Sequence, residues 1–152
     1  MNSKNYPADL SYFRLSLMAF LRESHPQLAN DENFIAARTN AAFDAYEQEI
    51  RNGATPNQAA EQANTVLFRD LHFSKHDTLV NIFWNEFADQ IPEDQAKIMS
   101  IKLQPECETV FALYQLSDNF AYEPEYELLY TKLTGKIAQL LESHTQKFLI
   151  PN

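Results

Sequence analysis

The sequence predicts an all-α protein, a single-domain multi-helical bundle of about six helices in which an apolar N-terminal helix is central. Two observations favour this class. Glycine occupies only 2 of the 152 positions, and 7 prolines separate segments in which apolar residues recur with the helical period. Tight hairpins and phosphate-binding loops both depend on glycine. Hairpins are therefore disfavoured, and the two glycines are too far apart to form a dinucleotide or P-loop motif.

The first helix is predicted from about Leu10 to Ser24, with Asp9 as its N-cap and Pro26 at its end. Two apolar stripes run along it, which indicates that this helix is contacted on more than one side. The first stripe comprises Leu10, Phe13, Leu17, Phe20 and Leu21, and the second comprises Tyr12, Leu15 and Met18.

The second predicted helix starts after Asn30 and continues to about Asn52, where Gly53 occupies the C′ position that favours glycine. The third helix opens with Thr55-Pro56-Asn57-Gln58. This run combines an N-cap threonine, a proline in the first turn and the glutamine of a capping box, so it is the best-defined helix start in the chain.

The fourth helix is predicted from the N-cap Ser74 to about Ala88, and Trp84 is expected to widen its buried face. Pro92 is expected to start the fifth helix. Pro105 should stop or kink that helix, because proline lacks a backbone N–H and clashes with the preceding turn.

Pro124 opens a long sixth helix that is predicted to reach about His144, and Gly135 inside it predicts a close helix contact or a kink. The domain is expected to span residues 9–147, with a flexible N-terminus at 1–8 and an apolar tail at 148–152. That tail is expected to dock on its own bundle or on a second copy of the chain, so a homodimer is an open alternative.

Composition also limits the class of protein. Cys107 is the only cysteine, which excludes an intramolecular disulfide and a cysteine-based zinc site and suits a cytoplasmic location. The N-terminal segment is polar, and no apolar run is long enough for a signal peptide or a membrane span. We therefore expect a cytoplasmic protein with no membrane attachment and no cofactor.

The net charge of −9 is concentrated between Glu86 and Glu127, a segment with ten acidic residues and only two lysines. This charge repels a phosphate backbone, so nucleic-acid binding is disfavoured. The simplest interpretation is a solvated acidic face that aids solubility. An alternative is an acidic decoy that mimics the charge of DNA, which requires acids spaced regularly on one continuous surface.

The densest group of reactive side chains is the run 71–77. His72 and His76 are four positions apart, a spacing that puts two imidazoles on one helical face and is used in metal sites. A helix break predicted between them would spoil this alignment. We therefore interpret the run as a helix junction in which Ser74 and Asp77 satisfy free backbone N–H groups. A metal-dependent enzyme that uses the two histidines is the alternative.

No catalytic residue is predicted. Cys107 lies between Glu106 and Glu108, whose charges disfavour the thiolate that a nucleophile needs. Acidic residues two positions apart diverge on a helix, so Glu106 and Glu108 do not form an acid/base couple.

Four runs of the chain resemble a small bacterial family of domains of unknown function. They are 10–17 (LSYFRLSL), 21–26 (LRESHP), 71–79 (LHFSKHDTL) and 125–130 (EYELLY). The resemblance covers nearly the whole chain. It implies an all-helical domain in bacteria whose genes for it often lie among those of conjugative transposons and plasmids, and it transfers no catalytic residue.

The function favoured by the sequence is a non-enzymatic accessory or protein-interaction domain, linked to a mobile genetic element, that contacts an unidentified protein partner. Its candidate interaction surface combines the helix junction with residues of the acidic window. These residues are His72, Ser74, His76, Asp77, Glu86, Glu123, Glu125 and Glu127.

Overall fold

A computed structural model describes the backbone of residues 10–149 and the side chains of residues 10–143. In this part of the chain all regular structure is helical, with six α-helices and three short 3-10 turns, so the predicted all-α class is confirmed. None of these helices combines the length and the apolar character needed to cross a bilayer. The helices are α1 (Leu10–Ser24), α2 (Glu32–Arg51), α3 (Pro56–Leu67), α4 (Lys75–Glu86), α5 (Ala96–Phe111) and α6 (Glu125–Leu149).

The chain divides into two compact units, each with a hydrophobic core of its own. The first unit ends at His72 and contains α1 to α3, whereas the second begins at Phe73 and contains α4 to α6. The predicted domain of residues 9–147 thus holds two helical units. The expected N-cap Asp9, the N-terminus at 1–8 and the side chains of the apolar tail at 148–152 lie outside the described residues.

In the first unit, α1 buries one of its two apolar stripes against α2. Phe13, Leu17 and Leu21 are fully buried. The second stripe lies largely on the outer side of the helix, where Leu15 is 65% exposed and Tyr12 is 43% exposed. Within this unit α1 therefore makes its main apolar contact along one face.

The C′ glycine predicted for α2 and the capping box predicted for α3 are confirmed, and α2 has in addition an N-cap that was not predicted. The side chain of Asp31 accepts a hydrogen bond from the backbone N–H of Phe34 at the start of α2. At its end, Gly53 has a φ of +96°, a left-handed conformation that glycine adopts without strain. The capping box that opens α3 is complete, because the side chains of Thr55 and Gln58 each accept from the other residue's backbone N–H, at 3.2 and 3.0 Å.

A side chain of α2 closes the C-terminal end of α3. The guanidinium of Arg38 donates to the backbone carbonyls of Val66, Leu67 and Arg69, at 3.5, 3.1 and 2.7 Å. The same guanidinium lies 4.9 Å from the centre of the Phe34 ring. The last carbonyls of a helix have no partner within it, so Arg38 satisfies acceptors that would otherwise depend on water.

The segment after α3 is fixed by two further features. Asp70 adopts a left-handed φ of 65°, which reverses the chain where no glycine is present. The next residue, Leu71, accepts a hydrogen bond at 2.7 Å from Nε2 of His25, a buried histidine that follows α1. The end of α3 is thus tied to both other helices of the first unit.

The second unit packs α4, α5 and α6 around one core. Ser74 is the N-cap of α4 as predicted, since its hydroxyl accepts from the backbone N–H of Asp77 at 2.9 Å. The fully or almost fully buried side chains of this core come from all three helices. They include Leu79, Ile82, Phe83, Ala96, Leu103, Cys107, Phe111, Leu129, Leu133 and Ile137.

Several predicted boundaries of the second unit differ from the structure. A 3-10 turn at Glu93–Gln95 follows Pro92, and α5 starts only at Ala96. Pro105 does not stop α5, because it lies on the exposed side, where water can satisfy the carbonyl that loses its partner. The last helix runs to Leu149, beyond the predicted end at His144.

The close helix contact predicted at Gly135 is wrong. A Cβ added at this position would meet no atom within 4 Å, and α6 continues through it without a break. The glycine lies on the exposed side of the helix, so nothing among the described residues requires its small size.

We expect Gly135→Ala to raise the free energy of unfolding by roughly 0.5–1 kcal/mol, because alanine loses less backbone entropy in a helix. Gly53→Ala is the matched control, and we expect it to lower that energy by about 1–2 kcal/mol, since its φ of +96° strains an L-residue. Urea unfolding followed by circular dichroism measures both. A destabilised Gly135→Ala variant would contradict this account of α6.

We expect Arg38→Ala to lower the free energy of unfolding by about 2 kcal/mol, because three carbonyls at the end of α3 lose a charged donor. Arg51→Ala on the same helix is the control. Its guanidinium lies in solvent, 3.9 Å from the carboxylate of Glu47, so its loss should change stability by less than about 0.5 kcal/mol. Equal losses in chemical denaturation would rule out the capping role.

Candidate functional site

The two histidines of the predicted junction do not share a helix face. His72 precedes α4 and is exposed, whereas His76 lies in the first turn of α4 and is only 3% exposed. The helix break expected between them is present. Within residues 10–143, no three side chains of His, Cys, Asp or Glu are grouped closely enough to hold a metal ion.

The geometry of the junction supports its interpretation as a helix cap. The backbone carbonyl of Ser74 accepts from the hydroxyl of Thr78 at 2.9 Å, and Asp77 supplies a carboxylate to the first turn of α4. Ser74 and His76 are both buried, so these two members of the predicted interaction surface are not accessible to a partner.

Asp77 is half-buried, and the remaining members of that surface are exposed. Of the ten acids between Glu86 and Glu127, nine fall into three groups, and the tenth, Asp118, lies between α5 and α6. Glu123, Glu125 and Glu127 lie at the start of α6, where carboxylates stabilise the positive end of the helix dipole. A second group, Glu106 and Glu108, lies in the last two turns of α5. The third surrounds the loop between α4 and α5, and it comprises Glu86, Asp89, Glu93 and Asp94.

This grouping weakens the DNA-mimic alternative. The twelve residues from Asp94 to Glu106 correspond to about 18 Å along a helix axis, so two of the groups lie near opposite ends of α5. Glu108 is also engaged within the unit, since one of its oxygens lies 2.8 Å from Nζ of Lys75. The acids do not form a regular array of the kind that a phosphate backbone presents.

Glu86 is held by Tyr130, whose hydroxyl is itself held by Asn85. The hydroxyl of Tyr130 donates to Oε2 of Glu86 at 3.0 Å and accepts from Nδ2 of Asn85 at 3.3 Å. Burial raises the pKa of Tyr130, and the carboxylate of Glu86 raises it further. The phenol therefore stays protonated and fixes this carboxylate at the end of α4.

Cys107 is a core residue rather than a nucleophile. It is fully buried, and burial raises the pKa of its thiol to about 11. Lys136 opposes this shift, whereas the charges of Glu108 and Glu106 add to it. A protonated, inaccessible thiol has low reactivity, which agrees with the prediction from the sequence.

Trp84 does not lie in the core, contrary to the sequence prediction. Its side chain is 40% exposed, and its indole N–H donates to the backbone carbonyl of Glu93 at 3.1 Å. On α4 it lies three positions after Asn81 and directly before Asn85, and both are exposed. The exposed side of α4 could have been recognised in the sequence. The Glu93 carbonyl in the 3-10 turn, which accepts the hydrogen bond of the indole, could not.

Two adjoining pockets meet at the Trp84 ring. The first, of about 520 Å³, is lined by Trp84, Glu93, Asp94 and Lys97. The second, of about 480 Å³, is lined by Trp84, Ala88, Ile91 and Glu93. We call these two hollows together the Trp84 pocket. It combines an aromatic ring, apolar carbon and two carboxylates against one ammonium, which suits binding of a cationic group.

The fold and this site describe an all-helical protein with a surface pocket suited to binding. The family model "Domain of unknown function (DUF1896)" matches residues 5–146, and the chain belongs to that family. This confirms the expected membership of a family of domains of unknown function. No curated protein is significantly similar to the chain.

One solved structure is closely similar, the crystal structure of protein PG0816 from Porphyromonas gingivalis. It is 38% identical in sequence, with a TM-score of 0.87, and the match covers 93% of this chain and 97% of that one. The described helical arrangement is thus shared with this protein of Porphyromonas gingivalis.

We expect Cys107 to react slowly with a thiol reagent such as DTNB in the folded protein. With a pKa of about 11, roughly one thiol in a thousand is ionised at about pH 8, and the core blocks access. Labelling should be at least about a hundredfold slower than in the chain unfolded by guanidinium. Complete labelling of the folded protein within minutes would contradict the burial of this thiol.

Proposed function

We propose that this chain is a non-enzymatic protein-interaction domain whose second unit binds a positively charged segment of a partner protein at the Trp84 pocket. The observation that carries this proposal is the position of Trp84. A tryptophan that is 40% exposed leaves apolar ring surface in water, and its indole N–H is held by the backbone rather than by the core.

Apolar side chains near this pocket extend the surface that a partner can cover. On α5, Ile98 and Ile101 follow Lys97 by one and four positions, and both are more than half exposed. An exposed tryptophan with aliphatic neighbours and a charged rim is the composition that protein interfaces favour at their centre. The surface is therefore suited to a protein partner rather than to solvent alone.

Charge determines which partner this surface favours. Glu86 at the end of α4 and Asp89, Glu93 and Asp94 after it lie in or next to the segment that lines the pocket, and Lys97 is the single basic residue between positions 86 and 97. Excess negative charge attracts a basic segment and accelerates its association, whereas it repels nucleic acid.

The groups that offered a catalytic alternative do not come together among the described residues. His72 is exposed before α4 whereas His76 is buried in its first turn, and Cys107 is protonated in the core. This arrangement supports an interaction domain over an enzyme. The association with a mobile genetic element stays a prediction, because it concerns neighbouring genes and not the fold.

We expect the immobilised protein to capture a partner from an extract of its native cells, and Trp84→Ala to abolish that capture. Two control variants also remove an exposed apolar side chain, Leu128→Ala in the same unit and Leu15→Ala in the first unit. Both should capture the partner normally. Quantitative mass spectrometry of the bound fractions compares the four proteins.

Trp84→Phe separates the ring from its hydrogen bond, since phenylalanine keeps an aromatic face but has no N–H to donate to Glu93. It should retain part of the binding. Circular dichroism confirms that each variant is folded. If Trp84→Ala captures the same proteins as the unaltered chain, the Trp84 pocket is not the binding surface and the proposal fails.

A further inference from the structure

We infer that the Trp84 pocket receives an arginine side chain of the partner, whose guanidinium stacks on the indole and pairs with the carboxylates of Glu93 and Asp94. This inference rests on the proposed function and makes it more specific. It names the chemical group that the pocket recognises, and it distinguishes arginine from a general preference for positive charge.

The orientation of the indole determines what a ligand meets. Because the indole N–H is already bonded to the carbonyl of Glu93 at 3.1 Å, it is not available as a donor to a ligand. Trp84 lines both hollows of the pocket, and with its N–H engaged the indole can offer a ligand only its apolar ring surface. A negative π surface that is fixed in place favours a flat cation stacked against it.

The carboxylates add a second requirement, which arginine satisfies better than lysine. Glu93 and Asp94 are consecutive in the 3-10 turn that the Trp84 hydrogen bond anchors to α4, and both line the same hollow as the ring. A guanidinium presents several N–H groups in one plane and can stack on an aromatic ring while it pairs with a carboxylate. An ammonium is a compact and strongly hydrated charge, so it cannot do both as well.

Lys97 sharpens this preference. Lys97 lines the same hollow, so the pocket already contains one basic residue beside the two acidic ones. A lysine from a partner would therefore place a second ammonium near that of Lys97, and it would stack only weakly on the indole of Trp84. A guanidinium faces the same repulsion but gains the contact with the indole, which the ammonium of Lys97 does not replace.

The two hollows share Trp84 and Glu93, and both are open to solvent, with volumes of about 520 and 480 Å³. The hollow with the acids can hold the guanidinium, and the adjoining one offers Ala88 and Ile91 to methylene groups or to a neighbouring apolar residue. The pocket thus has room for one basic residue and part of the segment that carries it.

Fluorescence offers a direct test, because Trp84 is the only tryptophan in the chain. The probes are three blocked tripeptides, acetyl-Gly-X-Gly-amide, in which X is arginine, lysine or citrulline. Citrulline has nearly the shape of arginine without its charge. We expect the arginine peptide to change the emission saturably in the millimolar range, the lysine peptide to bind at least about threefold more weakly, and the citrulline peptide to show no saturation.

Substitutions that keep the tryptophan locate the binding site. Asp94→Asn and Glu93→Gln should each weaken the arginine peptide by about three- to tenfold, because each removes a carboxylate from the pocket. Glu125→Gln makes the same change of charge at the start of α6 and should leave the affinity unchanged within about 1.5-fold. Lys97→Gln should strengthen binding by about threefold at low salt, since it removes the competing ammonium.

Three results would overturn the inference. They are no saturable change with the arginine peptide up to about 20 mM, equal affinities for arginine and lysine, and equal weakening by Asp94→Asn and Glu125→Gln. Its failure is distinguishable from that of the proposed function. If Trp84→Ala loses partner capture but the pocket shows no preference for arginine, the interaction surface is supported and only the assignment of arginine fails. Unchanged capture in Trp84→Ala would remove the surface itself.

Discussion

A helix has to satisfy its last carbonyls and redirect the chain, and in this protein long side chains do much of that work where glycine is scarce. Gly53 ends α2 in the usual way. At the end of α3, Arg38 supplies the donors from a neighbouring helix. Beyond α4, the indole of Trp84 holds the carbonyl of Glu93. Both side chains are fixed by backbone carbonyls, Arg38 at the end of α3 in the first unit and Trp84 at the 3-10 turn that lines the pocket in the second.

The parts of the fold that follow from local chemistry were predictable from the sequence. Apolar periodicity located six helices, and the bounds of α1 were predicted to the residue. Thr55, Ser74 and Gly53 have the roles expected of them, because capping involves atoms only a few positions apart. The behaviour of Pro105 and Gly135 was not predictable, since it depends on which side of a helix faces solvent and on what lies opposite.

The site was harder to predict for the same reason. The spacing of His72 and His76 has a chemical meaning only on a continuous helix, and the chain breaks between them. Trp84 is the largest apolar side chain of its segment, so hydrophobicity alone places it in the core. Its actual position depends on an acceptor nine residues away in a 3-10 turn, outside the range of helical periodicity. The pocket follows from that turn, which brings Glu93 and Asp94 to the ring.

The bonds from Arg38 also bear on how the first unit unfolds. Helix ends ordinarily fray alone, because opening the last turn breaks only bonds within the helix. Here the last turn of α3 cannot open without releasing a guanidinium that belongs to α2, and the Leu71 carbonyl just beyond it is held by His25, next to the end of α1. Local opening at this point is therefore coupled to all three helices. The segment after α3 therefore unfolds cooperatively with the interior of the first unit, although it lies at an end of that unit.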